Sequence, residues 1–135
     1  MNNNIIYNQE ENLDVHEFIK ILYDSGLSER RPIDDQKKLE IMCQNSSLII
    51  TARLDEKLIG IARSITDYTY CTYVSDLAVH ANFQRQGIGK KLIHETHNKT
   101  PEARLILLAA PKAINYYPKI GFEKHHGCFT SNCIS

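Results

Sequence analysis

The sequence predicts an α/β domain with a mixed sheet, on three observations. Two stretches of helical periodicity come first, within residues 13–27 and 34–45. Three runs rich in β-branched residues follow between 47 and 79. A glycine-bearing loop then leads through an amphipathic stretch to a continuous apolar run, which reads as strand, helix, strand. Hairpins early and a crossover late imply antiparallel neighbours first and parallel ones after them.

In "LDVHEFIKILYDSGL", Val15, Phe18, Ile19 and Leu22 fall at i, i+3, i+4 and i+7, so one face of a helix is apolar. Asp14 and Glu17 suit its positive first turn and Gly26 its end. After the polar bend "SERRPID", the segment "DDQKKLEIMCQN" puts Leu39, Met42 and Cys43 on one face of a shorter helix. "SLIITARL" and "LIGIARSIT" read as strands joined into a hairpin by "DEK", and "YTYCTYVSDLAV" as a third strand. A helix of about ten residues ends before Pro101, because the residue ahead of a proline disfavours helical backbone. "ARLILLAA" is unbroken apolar sequence, as in a strand covered on both faces. "KAINYYPKIGF" reads as a short helix broken by Pro118 and ended by Gly121, and "FEKHHGCF" as a final strand.

The chain has 135 residues, 42% apolar and 24% charged, the profile of one globular domain spanning 1–135. Sixteen basic residues balance sixteen acidic ones, so no global field recruits nucleic acid or an anionic membrane, and recognition of charge is local. "MNNNIIYNQEENL" lacks the basic-then-apolar pattern of a signal peptide, and no apolar run approaches membrane-spanning length; a cytoplasmic location is expected. Cys43, Cys71, Cys128 and Cys133 form no C-x-x-C pair and are expected as free thiols. His125, His126, Cys128 and Cys133 crowd the tail, but their spacing matches no familiar zinc pattern, and no metal is expected.

The stretch with most chemical content is "FQRQGIGKKL", residues 83–92. Strand, glycine loop and helix start converge free amides on one point, where an anion such as phosphate binds. A Walker A loop is excluded, since Gln84 stands five before Gly89 and Lys91 replaces its Ser or Thr. A dinucleotide fingerprint is excluded because its third glycine is Leu92. The pattern [QR]-x-x-G-x-[GA] is met by Gln84, Arg85, Gln86, Gly87, Ile88 and Gly89. With it, "YVSDLAVHANFQRQGIGKKLI" and, downstream, "RLILLAAPKAINYYPKIGFEK" resemble two segments of the GNAT superfamily of acetyl-CoA-dependent N-acetyltransferases, in the expected order. The likeness covers roughly residues 13 to 126.

The resemblance implies a mostly antiparallel central sheet flanked by helices and splayed between strands four and five. It implies acetyl-CoA as donor, with its pyrophosphate in the amides of residues 85–90 and charge-assisted contacts from Arg85 and Lys90. The backbone of Leu77, Ala78 and Val79 is expected to pair with the pantetheine arm, and Asn115 to contact the cofactor. Tyr117 occupies the family's tyrosine position and is the expected acid for the departing thiolate; a phenol with a pKa near 10 is protonated at neutral pH. Asp76 is the first candidate for general base and His80 the second.

The acceptor is expected to be a small-molecule amine. Arg30, Arg31 and Arg63 could hold an anionic group, while Asp34, Asp67 and Asp76 could attract a cationic amine, and together with Tyr68, Tyr70 and Tyr73 they suggest a polar, aromatic-lined cleft. A peptide amine, a non-catalytic acyl-CoA sensor, and a thiol-dependent transferase using Cys71 or Cys128 are the competing readings. Few residues follow Phe129, too few for the family's long final hairpin, so a dimer or a loop-covered sheet edge is expected.

Overall fold

The computed structural model of the chain describes residues 4–132. Five strands form one sheet in the order β1 (Ile5–Gln9), β2 (Leu48–Leu54), β3 (Lys57–Thr66), β4 (Cys71–Val79) and β5 (Arg104–Leu107). The first four are antiparallel to their neighbours, and β5 runs parallel to β4. The sheet is thus mixed and mostly antiparallel, as expected.

Helix α1 (Val15–Ser25) buries Phe18, Ile21 and Leu22, and it stops where Gly26 turns left-handed at φ 87°. Helix α2 (Gln36–Gln44) is capped by Asp35, whose carboxylate accepts the Lys38 amide at 3.1 Å. Both helices pack with Ile49, Leu58, Ile61 and Ala78 on one face of the sheet. Helix α3 (Ile88–Lys99) covers the other face, seating Ile88 and Leu92 on Leu48, Ile50, Ala52, Ile59 and Ala62. Residues alternate between the faces along β2, and a register shift at Ala52/Arg53 puts Leu58 and Ile61 of β3 on the same face.

The β2–β3 hairpin turns on two residues, Asp55 and Glu56, both at positive φ (49° and 70°). That is the twist a two-residue hairpin demands, here without the usual glycine. Gly60 lets α3 approach: a Cβ there would lie 3.1 Å from Leu92 Cδ1 and 3.2 Å from Ile88 Cγ2.

Four points differ from the sequence reading. β1 was not anticipated; its apolar stretch is short, and it exists by pairing Ile5–Gln9 against Leu54–Ile50. The run 103–110 supplies only the four residues of β5, alternately exposed and half-buried, because its outer side has no strand among the described residues. "FEKHHGCF" is not a strand: His125 Nδ1 accepts the Gly127 amide at 2.9 Å, closing a local turn in place of a ladder bond. "KAINYYPKIGF" resolves into two short 3₁₀ turns, Pro111–Ala113 and Tyr117–Ile120, with Gly121 left-handed at φ 102°. Among the described residues, no helix is long and apolar enough to cross a membrane.

Candidate active site

The glycine loop lies between the end of β4 and the start of α3. Gln84 Nε2 donates to the Val79 carbonyl at 2.9 Å, folding the loop back onto the strand it leaves. Arg85 and Gly87 are both left-handed, at φ 65° and 84°. For an arginine that backbone is strained by roughly 1 kcal/mol or more, and such strain gathers where a ligand is held. Gly87 is the N-cap of α3 and no side chain caps the helix. The Lys91 amide closes the first turn onto the Gly87 carbonyl at 3.0 Å, so the amides before it have no intrahelical partner. Gln84, Arg85, Gln86, Gly87 and Lys90 are exposed around them, while buried Ile88 fixes the helix start to the core.

The Tyr116 hydroxyl reaches this helix start. That hydroxyl lies 2.9 Å from where a Cβ on Gly89 would stand, so Gly89 is the residue that permits the approach. Sequence analysis does not bring Tyr116 to the glycine loop. Nothing in the local pattern shows that two segments this far apart in the chain meet.

The sheet opens beside this loop. β5 pairs with β4 from Cys71↔Arg104 to Val74↔Leu107 and goes no further, although β4 continues to Val79. The His80 amide bonds across β3 to Ile59 at 2.8 Å. Alternation therefore turns the backbone of Ala78 toward β3 and that of Val79, Leu77 and Ser75 toward the open side. The Val79 and Ser75 carbonyls there accept from Gln84 and Arg31, whereas Leu77 has no strand beside it. A cleft of about 60 Å³ occupies the opening, between Leu77, Val74 and Ser75 on β4, Leu107 and Leu108 past it, Tyr117, and the 27–31 turn with Arg30 and Arg31.

Tyr117 is packed edge-on against Tyr116 and Phe122, with ring centroids 5.4 and 5.6 Å apart. Burial, assisted by the Tyr116 phenol, pushes its pKa above the ordinary value. Asn115 is exposed in the turn just before it. The apolar walls at Leu27, Leu107 and Leu108 escaped sequence reading because apolar residues next to a strand look the same whether they face a core or a cleft.

Asp76 is fully buried and both its oxygens are taken. Arg31 Nε donates to Oδ1 at 2.5 Å and Arg63 Nε donates to Oδ2. Arg63 is itself buried, giving its remaining donors to Ser46, Ser75 and the Met42 carbonyl, and its guanidinium lies over the Phe18 ring. Arg31 adds bonds to the Ser75 and Arg30 carbonyls. These three residues tie the 27–31 turn to β4 and α2.

The other charged candidates lie away from the opening. Asp67 caps the β3–β4 turn, accepting the amides of Thr69, Tyr70 and Cys71 at 3.0, 2.8 and 3.1 Å. Those amides, Tyr70's first, hold its carboxyl below the usual range. His80 Nδ1 accepts the Asn82 amide at 3.1 Å, and its Nε2 stands 3.6 Å from Asp24. Tyr73 is half-buried on β4 between Ile65 and Ile106 and is not a lining residue of the cleft. Burial pushes the Cys43 thiol up to about 11, while Cys71 is half-buried and Cys128 exposed. Among the described residues no group of acids, histidines and cysteines could hold a metal ion; Cys133 of the tail cluster lies outside them.

The uncapped helix start thus lies beside an open sheet edge, and comparison with known proteins gives the fold a family. The profile described as "Acetyltransferase (GNAT) domain" matches residues 9–135. The N-acetyltransferase ycf52 of Pyropia yezoensis is 32% identical over 127 residues, 89% of this chain and 71% of that protein. The histone acetyltransferase TAP1 of Glycine max is 26% identical over 88% of this chain and 56% of its own length. A GNAT family acetyltransferase from Streptococcus pneumoniae superposes with TM-score 0.78 at 24% identity, covering 97% of this chain and 98% of that one. An aminoglycoside acetyltransferase from an uncultured soil metagenomic sample, solved with sisomicin, superposes at 0.71 and 24% identity, with 98% of each chain covered. The chain belongs to the GNAT acetyltransferase family.

Proposed function

We propose that the protein transfers the acetyl group of acetyl-CoA directly to a primary amine of a small molecule. One observation carries the reading: a cleft containing Tyr117 opens on the unpaired edge of β4, next to the uncapped start of α3. The residues present fit a coenzyme A ester. Left-handed Arg85 and Gly87 and the free amides of the α3 start form an anion cradle, with the Arg85 and Lys90 side chains beside it. Outward backbone at Leu77 and Val79 offers an amide-bearing arm the hydrogen bonds that β5 leaves unused.

Bound acetyl-CoA supplies the acetyl group as a thioester. The Val79 amide donates to the carbonyl oxygen of that group, where negative charge develops. Tyr117 gives its hydroxyl proton to the leaving sulfur; a phenol kept protonated by burial is suited to that task. Arg30 and Arg31, lining the cleft, disfavour an ammonium there and favour the neutral amine that can attack. No carboxylate or imidazole lines the cleft among the described residues, so the amine's proton leaves to solvent, from which the Tyr117 phenolate regains its own. Asp76 on this reading is a positioning residue that holds Arg31, and His80 is a turn cap.

The test is a panel of amines with acetyl-CoA, following free thiol, beside calorimetry of acetyl-CoA binding. Tyr117→Phe is expected to lower kcat about 10²-fold, within the usual range for a general acid, and to leave the acetyl-CoA Kd within about threefold. Binding without turnover of any amine would instead mark a non-catalytic acyl-CoA sensor.

A further inference from the structure

We infer that the acceptor is an amine carrying its own carboxylate a few bonds away, a free amino acid in chemical class, and that Arg30 receives that carboxylate. The inference rests on the reading of the Tyr117 cleft as the acceptor site and follows from the charges around it. The wall contributed by the 27–31 turn presents two guanidiniums, Arg30 and Arg31. Arg30 is exposed, and no carboxylate of the described residues pairs with it. Arg31 has five N–H donors, of which three are committed, to Asp76, Ser75 and Arg30. Asp76, the acid nearest the cleft, is sealed from solvent with both oxygens occupied, and Glu29 of the same turn is not a lining residue. Two guanidiniums, Arg31 and Arg63, therefore share one carboxylate, Arg30 beside them has none, and the excess positive charge lies at the opening.

Such a wall repels a polycation and attracts an anion. A guanidinium fork binds a carboxylate through two parallel, charge-assisted hydrogen bonds. Arg30 and Tyr117 both line this cleft, so an amine near Tyr117 and an acid at Arg30 share one small space.

The test compares free amino acids with their carboxamides, and with spermidine and sisomicin, as acceptors for the purified protein and acetyl-CoA. Free acids are expected to exceed their amides at least tenfold in kcat/KM. Arg30→Gln is expected to reduce that ratio about tenfold through KM, with the acetyl-CoA Kd held within about threefold. Calorimetry of N-acetyl amino acids in the presence of CoASH gives a readout independent of turnover, and the same variant is expected to weaken it. Amides or polyamines accepted as well as the free acids, or an acid-to-amide ratio unmoved by Arg30→Gln, would overturn the inference while leaving the transferase reading standing. Silence from every amine, with acetyl-CoA bound, removes the transferase reading and this one together.

Discussion

Tyr117 and Asp76 stand on opposite sides of one distinction, between a group that is buried and available and one that is buried and spent. The Tyr117 phenol lines a cleft, and its pKa is raised by burial and by Tyr116, so it keeps its proton above the ordinary phenol value of about 10. The sign of the pH dependence follows. Below about pH 9 the proposed acid is almost fully protonated, so kcat is expected to rise with the free-amine fraction of the acceptor and show no alkaline fall in that range. A profile from pH 6 to 10 checks this, and a descending limb near 8 or 9 would remove Tyr117 as the donor. Stability runs with the same linkage: above pH 10 the unfolded chain releases this proton before the folded one, so unfolding becomes easier. Asp76, by contrast, was legible as an acid on the right strand but not as a spent one. Its two arginine partners are 45 and 13 residues away, and sequence spacing carries no trace of either contact.

Elements were legible to the degree that their signal is local. Helices α1 and α3 show in apolar spacing and end signals, and β2–β4 show in β-branched runs, because each buries a face that the pattern already defines. β1 and the residues after β5 were misread for a common reason: edge pairing is decided by what lies alongside, not by the segment itself. The glycine loop was legible because backbone freedom is written into its two glycines. Its anchoring to the core was not, since that depends on Gly60 of β3 meeting α3. Gly60→Ala would press a methyl to within 3.1 Å of Leu92 and 3.2 Å of Ile88, with Ala52 on the far side at 3.4 Å. We expect a loss of about 1–3 kcal/mol in urea unfolding. On the proposed reading the displaced helix start carries the anion cradle, so acetyl-CoA affinity should fall as well. Unchanged stability with unchanged affinity would show that α3 tolerates the shift and is not the gauge of the cradle.

At the scale of the molecule the two sheet edges differ. The β1 side is held by charge: Arg53 of β2 bonds Glu10 just past β1 at 2.8 Å and Glu17 of α1 at 2.7 Å. Arg53 holds the Glu10 carboxyl below its ordinary 4.5, so this contribution is present above pH 4.5 and is lost as pH falls through the lower folded value. Glu10→Gln is therefore expected to be less stable than wild type at pH 7, by up to about 1 kcal/mol for a partly exposed network, and equal to it near pH 3. The β5 side has no such guard. Its outer edge lacks a strand among the described residues, and Ile106, Leu108 and Ile114 are each more than 40% exposed around it. Free ladder groups beside apolar side chains are the condition under which sheets pair edge to edge. A second copy related by a two-fold axis offers the same edge in return, and its β5 would run antiparallel to the first. The expected result is a dimer in light scattering at micromolar concentration, converted to monomer by Ile106→Lys. Because Ile106 is not a lining residue of the cleft, acetyl-CoA binding should survive the change. A wild-type monomer across that concentration range would mean that the chain after Leu107 shields the edge unaided.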